Sequence, residues 1–224
     1  MTESTALELH KRFVASSNPA KALEMARYMK NRFDFFGIQK PLRAVLEKPF
    51  IELLQYADYA TIEMNVTTLW DIPQREMQYS AMELMLKSKI WQHKEAINLL
   101  ENLIIRKSWW DTVDLLAGRF VGAYFLQYPE KRDEFIERWL KSTDMWLNRT
   151  AIIFQLNYKQ RTDEGLLFHC AVHFSNSKEF FIQKAIGWAL RQYARTAPDR
   201  VLQFVESHEL KPLSRREALK HFPK

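Results

Sequence analysis

The sequence predicts an all-α protein built as an α-solenoid of two-helix repeats, and three observations carry this prediction. The 224 residues include only five glycines and eight prolines, which argues for long helices. Apolar residues recur at helical spacing, and no stretch alternates as a strand would. Alternate helix starts near Pro73, Ser108, Asp144, Ser177 and Ser214 are 35, 36, 33 and 37 residues apart, which is typical of a repeated unit. An irregular helical bundle is the alternative.

The individual helices follow from the same patterns. Asn18 and Pro19 open the first, in which apolar residues such as Leu23 share one face. The aromatic segment 33–41 is interrupted by glycine and proline, so it is predicted to be a loop that buries its rings. Pro41 suits the first turn of the next helix. Helices are predicted at residues 20–32, 41–56, 59–70, 74–88, 91–106, 108–121, 129–141, 145–158, 162–174, 178–195, 198–206 and 214–221.

Composition indicates one globular domain over residues 1–224. The chain is 47% hydrophobic and 27% charged, which is ordinary for a protein with a full core. Its first ten residues lack a basic start followed by an apolar run, and no apolar run approaches the roughly 18 residues of a membrane span. The one cysteine, Cys170, has no internal partner for a disulfide. We therefore expect a cytoplasmic protein, with a monomer as the simplest state.

The charge balance favours an acidic partner. Lysine and arginine number 33 against 27 aspartate and glutamate residues, giving a net charge of +6 and a pI near 9.3. Nucleic acid is one such partner, although many basic proteins bind nothing anionic.

Two tryptophans and two carboxylates lie within a turn and a half of helix after Lys107. Ser108 suits the N-cap, and Asp111 could close a capping box, so we interpret Asp111 as structural. One stripe of this helix reads as a core face and consists of Trp109, Val113, Leu116 and Phe120. A second stripe places an aromatic face and a carboxylate beside small residues and consists of Trp110, Asp114, Ala117 and Val121. The second stripe is a candidate site; a boundary tryptophan beside a solvated aspartate is the alternative.

Basic residues gather on the second helices of the predicted repeats. Lys184, Trp188 and Arg191 are spaced at i, i+4 and i+7 and share one face, with Arg195 one turn further. This column fits a surface that follows a phosphate backbone, where cations neutralise charge and an aromatic ring packs on sugar or base. A solvated cationic helix with a core tryptophan is the alternative. Further basic residues in comparable positions are Arg75, Arg149, Arg215 and Arg216.

Other kinds of active site have little support. His169, Cys170 and His173 have neither an acidic third ligand nor a second cysteine, so we expect no metal site there. The sequence contains no glycine-rich phosphate loop, no Gly-x-Ser-x-Gly elbow and no Cys-x-x-Cys pair. We expect no cofactor.

The motifs at residues 70–79, 107–114, 148–150, 183–191 and 214–219 together resemble the AlkD family of DNA alkylation repair glycosylases. The resemblance spans most of the chain in family order. It implies HEAT-like repeats whose concave face holds duplex DNA, and release of cationic alkylpurines such as 3-methyladenine and 7-methylguanine during base excision repair. It also implies roles for individual residues. Asp114 matches the catalytic carboxylate, Trp110 and Trp188 match the aromatic walls, and Arg149 matches the basic partner near the scissile nucleotide, where it would tether a phosphate.

Two weaker matches, Gln39 and Tyr28, correspond to the surface that faces DNA. A sister branch of this superfamily resembles it in fold but lacks the tryptophan and aspartate pair. Because Trp110 and Asp114 are both present, the resemblance favours an alkylpurine DNA glycosylase. The alternative is a noncatalytic HEAT-like module that binds DNA or a protein partner.

Overall fold

Helices make up all the regular secondary structure in the part of the chain described by the computed structural model, residues 5–222. No strand occurs within that range, which confirms the all-α prediction. Within it, no helix is both long and apolar enough to cross a membrane. Contacts group the chain into two compact units, which we call the N-terminal unit (residues up to His93) and the C-terminal unit (residues from Lys94). The single domain over residues 1–224 stays a prediction.

From residue 5 onwards, the N-terminal unit contains five α-helices and one short 3₁₀ helix. They are α1 (Thr5–Ala15), α2 (Pro19–Tyr28), α3 (Lys40–Leu54), α4 (Tyr59–Asp71), α5 (Arg75–Lys87) and a 3₁₀ helix at Ile90–Gln92. Asn18 caps α2 by accepting a hydrogen bond from the Lys21 backbone N–H, and Asp58 caps α4 through Thr61 in the same way. Sequence reasoning missed α1, whose buried face is formed by Ala6, Leu9 and Phe13.

The aromatic loop between α2 and α3 is fixed by the start of α5. The buried Glu76 carboxylate accepts hydrogen bonds from three consecutive backbone N–H groups, those of Phe36, Gly37 and Ile38, at 2.9–3.1 Å. Gly37 has a left-handed φ of 83°, and a side chain there would collide with the Asn18 carbonyl. The loop therefore buries the Phe36 ring, as predicted, and leaves the rings of Phe33 and Phe35 half-buried. Ile38 is buried as well, and Gln39 is exposed at the start of α3.

The C-terminal unit contains the remaining helices of the described range. They are α6 (Ala96–Ile105), α7 (Trp110–Leu115), a π-helical segment (Leu116–Val121), α8 (Gly122–Gln127), α9 (Pro129–Leu140), α10 (Met145–Ile153), a 3₁₀ helix (Lys159–Arg161), α11 (Glu164–His173), α12 (Phe180–Tyr193), α13 (Pro198–Ser207) and α14 (Pro212–Ala218). Helix α10 packs on α6, α9 and α12, and α12 packs closely on α14.

The repeat is more regular in the structure than in the sequence. Helices α5, α7, α10 and α12 begin at Arg75, Trp110, Met145 and Phe180, which are 35 residues apart in each case. This spacing confirms the prediction of helical repeats. It also places the segments that were singled out in the sequence at equivalent positions of successive repeats.

Two helix starts predicted in the sequence before Asp114 are wrong. The helix expected from residue 91 begins at Ala96, because Ile90–Gln92 forms a 3₁₀ turn first. Ser108 does not cap α7: its hydroxyl donates to the Ile104 carbonyl at the end of α6 (2.6 Å), and Trp109 occupies the N-cap position. Trp109 is instead buried, as the core stripe predicts.

The helix that carries Asp114 changes its winding directly after that residue. The Gly122 N–H donates to the Ala117 carbonyl, five residues back, which is the hydrogen bond of a π-helix. Helical structure continues to Gln127, beyond the predicted end at residue 121. The carbonyls of Gly118 and Gly122 accept hydrogen bonds from the side chains of Asn157 and Tyr158, both at 2.7 Å.

Candidate active site

Helices α7, α10 and α12 of the C-terminal unit enclose an open cleft of about 330 Å³, which we call the main cleft. Its lining mixes aromatic rings, cations and one carboxylate, and consists of Trp110, Asp114, Arg149, Phe180, Phe181, Lys184, Trp188 and Arg191. These side chains come from equivalent helices of three successive repeats. The repeat thus converts three distant sequence motifs into one surface.

Asp114 and Arg149 form a two-point ion pair in this cleft. The Arg149 Nε donates to Asp114 Oδ1 at 2.7 Å, and Nη2 donates to Oδ2 at 2.9 Å. This geometry fixes both the position and the plane of the carboxylate. The Asp114 side chain keeps 20% of its surface exposed, whereas the Arg149 side chain keeps 5%. The pair therefore presents a carboxylate edge to the cleft and hides the guanidinium behind it.

Arg149 is held on its far side as well. Its Nη1 donates to the Phe181 backbone carbonyl at 2.5 Å, which ties α10 to the first turn of α12. The Phe181 ring lies against Trp109 and Trp146, with ring centroids 5.0 and 5.1 Å apart. This aromatic cluster limits the movement of Arg149, and through it the movement of Asp114.

Two opposing effects act on the charge of Asp114. Burial raises the pKa of the Asp114 carboxyl above its ordinary value, and the hydrogen bonds and positive charge of Arg149 work in the opposite direction. Asp111, on the same helix, adds a small increase in the pKa of Asp114. The Arg149 pair is what favours the ionised carboxylate in this partly dry cleft.

A second ion-pair cluster lines the other side of the cleft. Glu217 on α14 accepts from Lys184 at 3.0 Å and from Arg191 at 2.6 Å. These two cations hold the pKa of Glu217 down at about 2. Helix α14 approaches closely because Gly187 lacks a side chain: a Cβ there would lie 2.4 Å from Glu217 Cβ. The cluster keeps one net positive charge at the edge of the cleft.

The sequence and fold of this chain are similar to those of DNA alkylation repair enzymes. The family model described as DNA alkylation repair enzyme matches residues 9–222. The chain belongs to this family. A solved structure named as a predicted DNA alkylation repair enzyme from Enterococcus faecalis is 31% identical, with a TM-score of 0.87, and the match covers 93% of this chain and 97% of that one. No curated protein matches the chain. The family match confirms the resemblance found in the sequence.

In this member of the DNA alkylation repair enzyme family, the residues predicted as catalytic lie together in the main cleft. Trp110, Asp114, Arg149 and Trp188 all line the main cleft, and Lys184 and Arg191 line it with them. Arg195, the last member of the predicted column, is exposed but lines a separate cleft. The column is therefore divided between two surfaces, because Arg195 follows the end of α12 at Tyr193.

The structure corrects two of the predicted DNA contacts. Arg149 is 4% exposed and donates hydrogen bonds from Nε, Nη1 and Nη2 to Asp114 and Phe181, so its place in the structure favours holding the carboxylate over tethering a phosphate. Arg75 cannot contact DNA: it is fully buried, and its guanidinium stacks on the Phe33 ring at 3.9 Å. The sequence indicates a cation at both positions but does not show which protein groups engage it.

The other predicted contacts are at the surface of their units. Tyr28 is 70% exposed at the end of α2, and Gln39 is exposed at the start of α3. Arg215 and Arg216 are exposed on α14, where Arg215 donates to the Val205 carbonyl at 2.5 Å. Their contacts with DNA stay predictions.

Sequence reasoning missed three residues of the main cleft and its surroundings. Phe180 is 58% exposed in the cleft, and Phe181 holds Arg149 through its carbonyl. Glu217 lies within the motif at residues 214–219, but the sequence assigns it no role. The Phe-Phe pair at a predicted helix start could have indicated a binding surface, since exposed aromatic pairs are unusual.

Proposed function

We propose that the chain is a DNA glycosylase that hydrolyses the N-glycosidic bond of cationic N3- and N7-alkylated purines in duplex DNA. The observation that supports this most directly is the carboxylate of Asp114, fixed by two hydrogen bonds from Arg149 in a cleft walled by Trp110 and Trp188. Membership of a DNA alkylation repair enzyme family supports the same substrate class. Removal of the base would start base excision repair.

The proposed substrates need little help from the enzyme to lose their base. An N3- or N7-alkylated purine carries a positive charge and leaves as a neutral base, so no general acid has to protonate it. As the bond between the sugar and the purine nitrogen lengthens, positive charge develops on the deoxyribose. A fixed carboxylate at Asp114 stabilises that charge and orients the water whose oxygen attacks the sugar carbon.

The aromatic walls suit the same transition state. The faces of Trp110 and Trp188 can contact the cationic base or the developing sugar cation, each contributing on the order of 0.5–2 kcal/mol. Both residues are partly buried, so their rings are held by the protein and still reach the cleft. No cofactor is required in this scheme.

Arg149 would act by positioning the carboxylate. A carboxylate that faces an anionic DNA backbone is repelled by it, and a paired arginine reduces that cost. The buried guanidinium of Arg149 provides this compensation without occupying the cleft. A simple DNA-binding surface has no use for a carboxylate here, which favours the enzyme over a noncatalytic module.

Several cations and polar groups would bind the DNA. We assign this role to Lys184 and Arg191 at the main cleft, and to Tyr28, Gln39, Arg195, Arg215 and Arg216 elsewhere. Because Glu217 neutralises part of the charge of Lys184 and Arg191, these two would orient a phosphate more than they attract one.

Base release from defined duplexes tests this proposal. The protein is incubated with duplexes that carry one 7-methylguanine, one guanine or one uracil at the same position, and free base is quantified by mass spectrometry. We expect release of 7-methylguanine alone, because only that base is cationic in the duplex and can therefore leave as a neutral molecule without being protonated. DNA binding without release would indicate a noncatalytic DNA-binding module, and the absence of both would indicate a solenoid that binds protein.

A further inference from the structure

A second cleft shares helices α10 and α12 with the main cleft. It has a volume of about 210 Å³, and the turn after α10 and the end of α12 form much of it. Its floor is apolar and buried, and consists of Ile152, Leu156, Leu167 and Ala189. Its rim is polar and includes Lys159, Gln160, Gln192 and Arg195. A cavity of this size is smaller than the roughly 300 Å³ of common ligand sites, so it suits one planar ring, with the other groups of a ligand at the open rim.

The rim side chains are available for a ligand. Within residues 5–222, the side chains of Lys159, Gln160, Gln192 and Arg195 make no hydrogen bond or ion pair with the protein. The main cleft differs in this respect, because its cations are paired with Asp114 or Glu217. The rim thus carries two uncompensated positive charges and two amides that can donate and accept.

Neighbouring carboxylates do not compensate these charges. Asp163 caps α11 and forms an ion pair with Arg132 at 3.1 Å. Glu164 pairs with Arg200 at 2.6 Å and accepts from the Tyr193 hydroxyl. Both acidic groups that follow the turn are therefore engaged away from the rim.

The backbone at Lys159 places this side chain at the rim. Lys159 has a φ of 54°, in the left-handed region that favours glycine. The conformation turns the chain after α10 and sets the side chain at the rim. Lys30, Lys89 and Lys107 also have a positive φ, so the role we assign to Lys159 rests on its place at the rim and its unpaired charge.

We propose that this second cleft binds one nucleotide unit, with the phosphate at Lys159 and Arg195 and the base over the apolar floor. Gln160 and Gln192 would contact the edge of the base. The same chemistry is offered by a free deoxynucleotide and by an unpaired nucleotide of a DNA strand. The strand as source rests on the proposed function: Gln192 follows Trp188 by four residues of α12, about 6 Å, or roughly two base steps of a duplex.

Titration with deoxyadenosine 5′-monophosphate tests the site without requiring catalysis. Amide NMR shifts of the full chain would be followed, together with the side-chain amide of Gln192, and deoxyadenosine and inorganic phosphate would be titrated separately. We expect saturable shifts confined to the second cleft, and tighter binding of the nucleotide than of either part. Absence of such shifts overturns the proposal, as does phosphate binding as tightly as the nucleotide, which would show an anion site only.

Matched variants locate the binding. Lys159→Gly removes the cation while relieving the left-handed backbone, so this variant should fold, and Arg195→Ala removes the second cation. Each should weaken nucleotide binding about 3- to 10-fold. Arg161→Ala removes an exposed cation two residues away that does not line the cleft and should change nothing. Equal effects of Arg161→Ala and Lys159→Gly would contradict the site.

A final comparison identifies the source of the nucleotide. Affinity is measured for a duplex with one unpaired adenosine and for the fully paired duplex, with the native chain and with Lys159→Gly. A larger loss for the unpaired duplex supports the strand as source. An equal loss excludes the strand and leaves the free nucleotide. Failure of base release in the glycosylase assay would leave the titration result unaffected, so the two proposals can fail separately.

Discussion

Three buried carboxylates of this protein are held by different kinds of partner. Burial raises the pKa of Glu47, Glu76 and Asp114 alike. Glu76 is bound by backbone N–H groups and Glu47 by Ser80, roles that organise the fold. Asp114 is held by Arg149 in a cleft with two tryptophans, which is the environment expected of a carboxylate that acts on a cation.

Arg149→Lys tests the positioning role of the arginine. A lysine keeps the charge but cannot make two parallel hydrogen bonds, so the carboxylate loses its fixed plane. We expect the single-turnover excision rate to fall about 10- to 100-fold, with DNA affinity within about twofold of the native value. Arg119→Lys, at an exposed position of the π-helical segment, is the control and should leave both unchanged. A loss of affinity as large as the loss of rate would show that Arg149 contacts DNA.

Individual site residues could be predicted from the sequence where helical spacing alone determines which side chains share a face. Trp110 and Asp114 are four residues apart, as are Lys184 and Trp188, and each pair shares a face. The sequence could not assign Glu217 or the Phe181 carbonyl, because both reach their partners across more than 25 residues of sequence. Arg75 shows the same limit: its burial depends on the loop that carries Phe33.

Among the helical elements, the π-helical segment after Asp114 can be explained by its hydrogen bonds. A π-turn changes which backbone carbonyls are paired within the helix, and side chains from the turn after α10 complete the pairing. The segment therefore joins the helix of Asp114 to the turn that follows the helix of Arg149. Sequence periodicity does not reveal the π-turn here, because five of the six residues of Leu116–Val121 are apolar or glycine and the pattern defines no single face.

Tyr158→Phe tests this account of the π-helical segment. The variant removes the donor to the buried Gly122 carbonyl and leaves the ring in place. We expect the free energy of unfolding to fall by about 1–3 kcal/mol, as for a buried acceptor left unpaired. Urea denaturation of the variant measures this. Tyr56→Phe, at a residue 89% exposed, serves as control; equal stability of all three proteins would show that the hydrogen bond contributes nothing.

At the scale of the whole molecule, the ion pair cluster of Glu217 couples stability to pH. The ordinary pKa of a glutamate is 4.5 and that of Glu217 in the folded protein is about 2. A carboxyl with a lowered folded pKa stabilises the protein above its unfolded pKa, and this contribution is lost as the pH falls from about 4.5 towards 2. The cluster therefore helps to hold α14 on α12 at neutral pH, and this contribution is lost in acid.

Glu217→Gln should make this contribution visible. The native protein should be more stable than the variant by roughly 1 kcal/mol at pH 7, since solvent screens part of the interaction. The difference should shrink steadily below pH 4.5, as measured by urea denaturation across pH. Glu206→Gln, on the exposed face of α13, should show no such trend. A difference that stays constant with pH would contradict the assigned role of the carboxylate.

The overall architecture could be predicted to a large extent, because repeat spacing is a property of the sequence. Intervals of 33–37 residues in the sequence became 35 residues between Arg75, Trp110, Met145 and Phe180. Helix ends were less predictable where the chain leaves regular geometry. The turn at Ile90–Gln92 and the left-handed Lys159 depend on tertiary packing, which local propensity does not capture.

We propose that Asp114 acts on the transition state and contributes little to DNA binding. The most direct test measures the single-turnover excision rate from a 7-methylguanine duplex and the dissociation constant of the same duplex, for the native chain, Asp114→Asn and the control Asp111→Asn. We predict a rate about 100- to 1000-fold lower for Asp114→Asn, with an unchanged dissociation constant and little effect of Asp111→Asn. Equal losses of rate and affinity in Asp114→Asn, or an undiminished rate, would contradict this role of Asp114.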